Sequence, residues 1–194
     1  MQNKIPYIYY FINEYNIEEL TNLEKNIELI FRNYEENPKI EVIESIQKFC
    51  KSTKRNFYLS NNIKLALKLG LDGVYIPSFN NKINFASKYS LPSKFKIIGS
   101  AHNINEIRIK KLQKCTQIFL SPIFKTPKAK KFLSIPKFNL ITLAQNSKFI
   151  ALGGINEKNF KKLRLVKIIG FAGISWIKKN GLSKLRPFSN LNLN

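Results

Sequence analysis

Short apolar runs recur along the chain, and most are followed by a polar stretch with helical spacing. Runs of strand length are Tyr7–Ile12, Ile27–Phe31, Asn56–Leu59, Gly73–Ile76, Phe95–Gly99, Thr116–Leu120, Phe149–Leu152 and Ile168–Ala172. Nearly continuous apolar runs mark strands covered on both faces, as in a parallel sheet. Helices are predicted over Ile40–Lys51, Ile63–Leu69, Ile104–Leu112, Phe138–Ala144 and Glu157–Leu163, with less regular α patterning over Glu18–Lys25 and over 78–93. Asn103 and Asn156 stand where their amides can cap the helices that follow. Eight strands alternating with helices predict one α/β domain over residues 1–194, a small (β/α)8 TIM barrel, with a doubly wound open sheet as the alternative.

The last third of the chain twice runs an apolar strand into glycine. The first copy is Phe149-Ile150-Ala151-Leu152-Gly153-Gly154-Ile155-Asn156, and the second ends in Gly170-Phe171-Ala172-Gly173-Ile174-Ser175. A glycine turn leading into a helix exposes unpaired N–H groups at the positive end of a dipole, a ready phosphate site. Barrels often build such a cup from the loops after strands 7 and 8. Two ordinary strand–helix turns would leave the same trace in the sequence.

Composition narrows the chemistry. The 194 residues suffice for a real core, and 44% hydrophobic content argues against disorder. No apolar run approaches the roughly 20 residues that cross a bilayer, and Met1-Gln2-Asn3-Lys4-Ile5-Pro6 lacks signal-peptide architecture, so a cytoplasmic protein is expected. Cys50 and Cys115 form no metal-ligand pattern and read as small hydrophobes. The net charge is +21, but the lysines are spread evenly and no nucleic-acid module is present, so a solvated basic surface is expected rather than a nucleic-acid partner. A basic rim would still gather phosphorylated small molecules. The twelve acids include one aspartate, Asp72, placed in a Gly70-Leu71-Asp72-Gly73 turn where it can bond the backbone. After it only Glu106 and Glu157 remain, which leaves almost nothing for a divalent-metal site built from paired carboxylates.

In a barrel, function sits at the C-terminal ends of the strands. Read in order, those ends carry Arg32-Asn33, Ser60-Asn61-Asn62, Pro77-Ser78, Ser100-Ala101-His102-Asn103, residues 121–131, Gly153-Gly154 and Gly173-Ile174-Ser175. Several of these segments, in this order, resemble the thiamine phosphate synthase/TenI barrels of thiamin biosynthesis. The pieces are Leu65-Ala66-Leu67-Lys68-Leu69-Gly70-Leu71-Asp72-Gly73-Val74, Gly99-Ser100-Ala101-His102-Asn103, Ser121-Pro122-Ile123-Phe124-Lys125-Thr126-Pro127, Ala151-Leu152-Gly153-Gly154-Ile155 and Gly170-Phe171-Ala172-Gly173-Ile174-Ser175.

The resemblance implies two activities. The synthase branch joins a pyrimidine diphosphate to a thiazole phosphate and releases pyrophosphate with Mg2+. Matching positions here are Arg32 for the diphosphate, and Ser100, Thr126 and the two glycine turns (Gly153, Gly154, Ile174 and Ser175) for the thiazole phosphate. Lys128 or Lys130 would add charge from the loop after strand 6, although the family's lysine itself falls on Ala129. The family's Asn-Asp pair after strand 3 is Ser60-Asn61, and its second metal aspartate aligns with Asn80. The TenI branch isomerises a thiazole carboxylate phosphate without metal, using the histidine that here is His102, the only one in the chain. The sequence fits that metal-independent isomerisation best, with no cofactor expected; Mg2+ enters only if the chain is a synthase, recruited through substrate phosphates and the neutral Asn61 and Asn80. A silent phosphate- or nucleic-acid-binding barrel is a third alternative. Oligomeric state is open, including a homo-oligomer.

Overall fold

The eight apolar runs form eight parallel strands that close on themselves. A computed structural model describes residues 6–34, 39–127, 129 and 131–173. In chain order these carry β1 (Tyr7–Ile12), α1 (Ile17–Thr21), β2 (Ile27–Phe31), α2 (Ile40–Thr53), β3 (Phe57–Ser60), α3 (Ile63–Lys68), β4 (Gly73–Ile76), β5 (Lys96–Ala101), α4 (Ile104–Leu112), β6 (Gln117–Leu120), α5 (Ser134–Leu143), β7 (Phe149–Leu152), a 3-10 helix (Phe160–Leu165) and β8 (Gly170–Gly173). Each strand pairs with the next in sequence, and β1 pairs with β8, so the sheet is a closed barrel. The barrel reading holds, and the open-sheet alternative falls.

Strand boundaries follow the apolar runs because burial on both faces dictates them. Four strands coincide with the expectation, and the others shift by one or two residues at an end. The helices depart further. The α1 segment is the single stretch Ile17–Thr21 rather than Glu18–Lys25, and α5 begins four residues earlier than expected, at Ser134. No helix separates β4 from β5 in the described residues, so 78–93 is a long irregular crossover. The expected helix Glu157–Leu163 is a short 3-10 helix displaced to Phe160–Leu165. Asn156 does cap, but it caps a turn: its Oδ1 accepts from the amides of Lys158 and Asn159. Gly170 lies within β8, as its apolar run implied, and a Cβ there would strike the Tyr7 carbonyl across the strand pair. Asp72 bonds backbone as expected, accepting from the Phe57 amide at the start of β3 (2.9 Å).

The core has two parts. Outward-facing strand residues pack with Ile43, Ile46, Ile107, Phe138 and Leu163 between barrel and helices. Inward-facing residues Tyr9, Phe11, Ile30, Tyr58, Tyr75, Ile98, Phe119, Ile150 and Ala172 fill the lumen. The lumen is aromatic and edge-packed: Tyr9 and Phe119 have centroids 4.9 Å apart, Phe11 and Tyr75 5.2 Å, and Tyr75 and Phe119 5.6 Å. Each such pair adds about 0.5–1.5 kcal/mol beyond area burial. At its floor Tyr58 donates to the Glu28 carboxylate (2.7 Å) and Tyr9 to Gln117 (2.5 Å). Cys50 is buried and Cys115 half-buried, and burial pushes both thiols up to about 12, as expected of packing residues.

Burial holds the phenols of Tyr9, Tyr10, Tyr58 and Tyr75 well above the usual tyrosine range. Phenols that stay neutral when folded but ionise when unfolded contribute stability below the unfolded value, and that contribution is lost as pH rises past about 10. The unfolding free energy should therefore fall from about pH 10 upward, by as much as about 1.4 kcal/mol per pH unit for each buried phenol, and the denaturant midpoint with it. A flat midpoint to pH 11.5 would show the lumen to be wet.

Candidate active site

Side chains alternate along each strand, so the lumen fixes which residues emerge at the C-terminal rim. Two residues beyond inward-facing Ile30 lies Arg32; beyond Tyr58 lies Ser60; beyond Ile98 lie Ser100 and then His102; beyond Phe119 lies Ser121. The polar residues seen in the sequence thus share one end of the barrel.

Contacts join these rim loops in order. Arg32 lays its guanidinium over the Phe11 ring (4.7 Å to the centroid) and beside Tyr34 (5.9 Å). Tyr34 places its hydroxyl 3.0 Å from Ser60 Oγ and packs edge-on to Phe79 at 5.4 Å. Below Arg32, the buried Tyr75 packs edge-on to Phe11, the ring that the guanidinium covers, with centroids 5.2 Å apart. Glu35 and Glu36, acids close enough in sequence to pair with Arg32, lie outside the described residues.

Between the loops after β3 and β4, Asn80 Nδ2 donates to Asn61 Oδ1 at 2.7 Å. Asn61 adopts a left-handed φ of 58°, a region asparagine tolerates, and its amide donates to the Tyr75 carbonyl. This pair borders a cavity of about 510 Å³, also lined by Phe79, Lys82, Phe85 and Lys88 and by no carboxylate.

His102 sits at the centre of the rim, solvent-exposed, just past β5. Its Nδ1 lies 2.8 Å from the Ser121 carbonyl oxygen and 3.2 Å from Ser121 Oγ. A carbonyl only accepts, so Nδ1 carries the proton in the neutral ring and Nε2 is the acceptor. Ser78 Oγ, 3.1 Å from Nε2, is its donor. The backbone of His102 is held as well: its amide donates to Glu106 Oε2 (2.8 Å), Asn103 Nδ2 donates to Glu106 Oε1 (2.7 Å), and Asn103 Oδ1 accepts from the Glu106 amide. This is a reciprocal cap that fixes the first turn of α4. His102 thus has both a held backbone and a ring nitrogen able to accept a proton.

The glycine turn after β7 completes the described rim. Gly153 and Gly154 have φ of 93° and 72°. A Cβ on Gly153 would lie 2.7 Å from Pro122, and one on Gly154 2.5 Å from the Lys125 carbonyl. The glycines therefore admit the neighbouring loop after β6, in addition to any anion. Phe124 donates its amide to the Gly153 carbonyl, and Asn159 Nδ2 to that of Gly154. No α-helix of the described residues begins at this turn, so any phosphate cup here rests on loop amides without a helix dipole. Thr126 Oγ1 accepts from the Ala129 amide, bracing the β6 loop from within. Lys128, Lys130, Ile174 and Ser175 lie outside the described residues.

Sequence reasoning passed over Ser78 and Ser121 as partners of His102, and over Lys110 and Gln113 beneath the β4 loop. Lys110 is fully buried and donates to the Pro77 and Asn80 carbonyls and to Gln113 Oε1. The available signal was its place three residues after Ile107, on the core side of α4.

Comparison with known proteins identifies the family. Residues 20–177 match the family profile described as Thiamine monophosphate synthase. The chain is 34% identical over 145 residues to Thiamine-phosphate synthase of a Prochlorococcus marinus strain, covering 73% of this chain and 41% of that protein. Against Thiamine-phosphate synthase of Flavobacterium psychrophilum, identity is 26% over 189 residues, with 89% of each chain covered. The chain thus spans about two fifths of the Prochlorococcus relative and most of the Flavobacterium one. Among solved structures, Thiamine phosphate pyrophosphorylase from Pyrococcus furiosus superposes with a TM-score of 0.71 at 18% identity, covering 98% of this chain and 94% of that one, a likeness of fold.

The tautomer is directly testable, because His102 is the only histidine. Imidazole 15N NMR of the neutral protein should show a protonated Nδ1 and an unprotonated Nε2. Protonation on Nε2 would contradict the Ser121 contact.

Proposed function

The chain belongs to the thiamine monophosphate synthase/TenI family of thiamin-biosynthetic barrels, and from that premise we propose that it acts as a thiamine-phosphate synthase, coupling a pyrimidine diphosphate to a thiazole phosphate with release of pyrophosphate. The relatives' names support the synthase over the isomerase. The observation that carries the reading is the joined rim, in which Arg32, the Asn61–Asn80 pair, Ser100, His102 and Gly153-Gly154 surround one barrel mouth. In this reading Arg32 faces the diphosphate as a fixed, always-charged fork. The loop amides at Gly153 and Gly154, with Ile174 and Ser175, take the thiazole phosphate, and Lys128 and Lys130 add charge. Ser100 orients substrate at the mouth, while Thr126 acts through the loop it braces.

The chemistry requires the pyrophosphate to leave with its charge stabilised. The family resemblance implies Mg2+, but the donor set here does not fit it. Mg2+ sites use one or two carboxylates beside substrate phosphates. Here the two corresponding positions are amides bonded to each other, and the Lys110 ammonium lies 2.9 Å behind the Asn80 carbonyl. Among the described residues no group of three or more His, Cys, Asp or Glu side chains could hold a metal. Charge on the leaving group therefore falls to Arg32 and to Lys82 and Lys88 in the adjoining cavity.

A second reading, metal-independent isomerisation of a thiazole carboxylate phosphate, is favoured by one observation: His102 Nε2 is a proton acceptor at the mouth, with Ser78 poised on it. Product analysis separates the two. Incubation with pyrimidine diphosphate and thiazole phosphate should yield the coupled product and pyrophosphate. No coupling there, with isomerised product from a separate incubation with thiazole carboxylate phosphate, would overturn the synthase and favour the second reading. In that case His102→Asn should slow turnover by about 100-fold or more, the ordinary worth of a general base.

The metal argument gives a separate expectation. Mg2+ alone should leave the melting temperature unchanged. The double variant Asn61→Asp, Asn80→Asp should gain Mg2+ stabilisation, about 2.7 kcal/mol at a hundredfold excess over its dissociation constant. Stabilisation of the unaltered protein by Mg2+ alone would show the amides to be sufficient ligands.

A further inference from the structure

The loop after β4 carries two rim residues, Ser78 and Asn80, yet in the described residues it leads into no helix that would satisfy its backbone. Its carbonyls are instead gathered by side chains of α4 and the residue that caps it. Lys110 Nζ has three N–H donors and uses them on the Pro77 carbonyl (2.8 Å), the Asn80 carbonyl (2.9 Å) and Gln113 Oε1 (2.9 Å). Gln113 Nε2 in turn donates to the carbonyls of Asn80 (2.9 Å) and Lys82 (3.0 Å). The lysine is 0% exposed and Gln113 1%. A buried ammonium is tolerated only when its hydrogen-bonding capacity is filled, and here it is filled by loop carbonyls rather than by a carboxylate.

The spacing along the helix links this buttress to His102. Glu106, which holds the His102 amide, Lys110 and Gln113 are separated by four and three residues and so lie in one stripe. One end of the stripe fixes the backbone of His102. The other fixes Pro77, the residue immediately before the serine that bonds His102 Nε2. The same helix therefore indexes both members of the Ser78–His102 pair.

We propose that Lys110 is a positioning residue of the rim, whose ammonium sets the β4 loop so that Ser78 meets His102 Nε2 and Asn80 meets Asn61. It touches no reacting atom and acts through that loop. The charge is internal to the scaffold: burial lowers the Lys110 ammonium to about 8, with the neighbouring Cys115 and Glu106 pulling the other way, so it remains largely protonated at neutral pH. An organic cation thus orders the loop from behind, at the place where the family resemblance sets a metal aspartate in front. The effect on turnover rests on the proposed reading of the rim as the reacting site; the positioning itself does not.

The test is imidazole 15N NMR on the whole chain, with its single histidine as reporter. Ser78→Ala gives the Nε2 shift expected when the hydroxyl is removed. Lys110→Met should reproduce most of that shift while leaving the Nδ1 proton on Ser121. Gln113→Ala, a milder loosening of the same loop, should shift Nε2 in the same direction by a smaller amount. A Lys110→Met protein that melts earlier but keeps the wild-type Nε2 signal would overturn the proposal, because the lysine would then be merely structural. Should Lys110→Met fail to fold, Gln113→Ala decides: a wild-type Nε2 signal overturns the proposal and a shifted one upholds it. In the coupling or isomerisation assay, Lys110→Met should lower kcat by up to about 100-fold with little change in KM, as for a small misplacement of a reacting group. A shifted Nε2 signal with no activity in any variant or in the parent protein would uphold the positioning role and sink the functional reading alone.

Discussion

Filling the barrel lumen is the constraint from which the rest follows. Eight strands of four to six residues enclose a space that small side chains would leave hollow. Tyr9, Phe11, Tyr58, Tyr75 and Phe119 close it by edge-to-face packing, with the Tyr9 hydroxyl bonded to Gln117 and that of Tyr58 to Glu28. Once these rings face inward, strand alternation determines what stands two residues further along. A one-residue slip in β5 would exchange Ser100 for Ala101 at the mouth and turn His102 away. The candidate site is in that sense a continuation of the core, and Phe11, packed on Tyr75 below and covered by Arg32 above, is where one becomes the other.

Above the lumen, neutral polar contacts do the joining. Asn80 reaches Asn61, Ser78 reaches His102, His102 reaches Ser121, and the Phe124 amide reaches the Gly153 carbonyl. Each hydrogen bond is worth about 1 kcal/mol net, less than a buried charge pair costs to break. Their value lies in sequence: every loop from β3 to β7 is located by the one before it. The single buried charge among them, Lys110, is placed behind the loop with all its donors used. Such an arrangement favours order at the rim without committing a carboxylate to it.

The fold was largely legible because burial on both faces leaves a mark in the sequence. Tyr7–Ile12, Ile27–Phe31, Gly73–Ile76 and Phe149–Leu152 end where their apolar runs end. Helices were legible where a cap and a periodic face agree, as at Asn103 before α4. After β7 they disagree, because Asn156 turns onto Lys158 and Asn159 and so uses its acceptor before a helix can start. Glycine was ambiguous for a physical reason: Gly153, Gly154 and Gly170 all avoid a collision, but with a loop in two cases and a strand in the third. The rim positions Arg32, Asn61, Ser100 and His102 could be read from strand ends. Lys110 and Gln113 could not, since a lysine and a glutamine on a helix suggest solvent until a loop that lacks its own hydrogen bonds is folded over them.

The charge of the chain bears on this last point. A net +21 suggests an anion-seeking surface everywhere, yet at physiological salt a solvent-exposed charge acts over only about 8 Å. Most of the 33 lysines and arginines are therefore silent toward any ligand at the barrel mouth. In the proposed site, those that bear on the ligand among the described residues are Arg32 over Phe11 and the lysines at positions 82 and 88 beside the Asn61–Asn80 pair. The local balance there is decided by what is missing as much as by what is present: no carboxylate lines that cavity beside Lys82 and Lys88. A cavity of this sign draws a phosphorylated ligand directly and repels the free cation that a carboxylate pair would have captured. In the proposed reading, amides in place of the family's acids at those two positions change the order in which charge is assembled, from metal first to anion first.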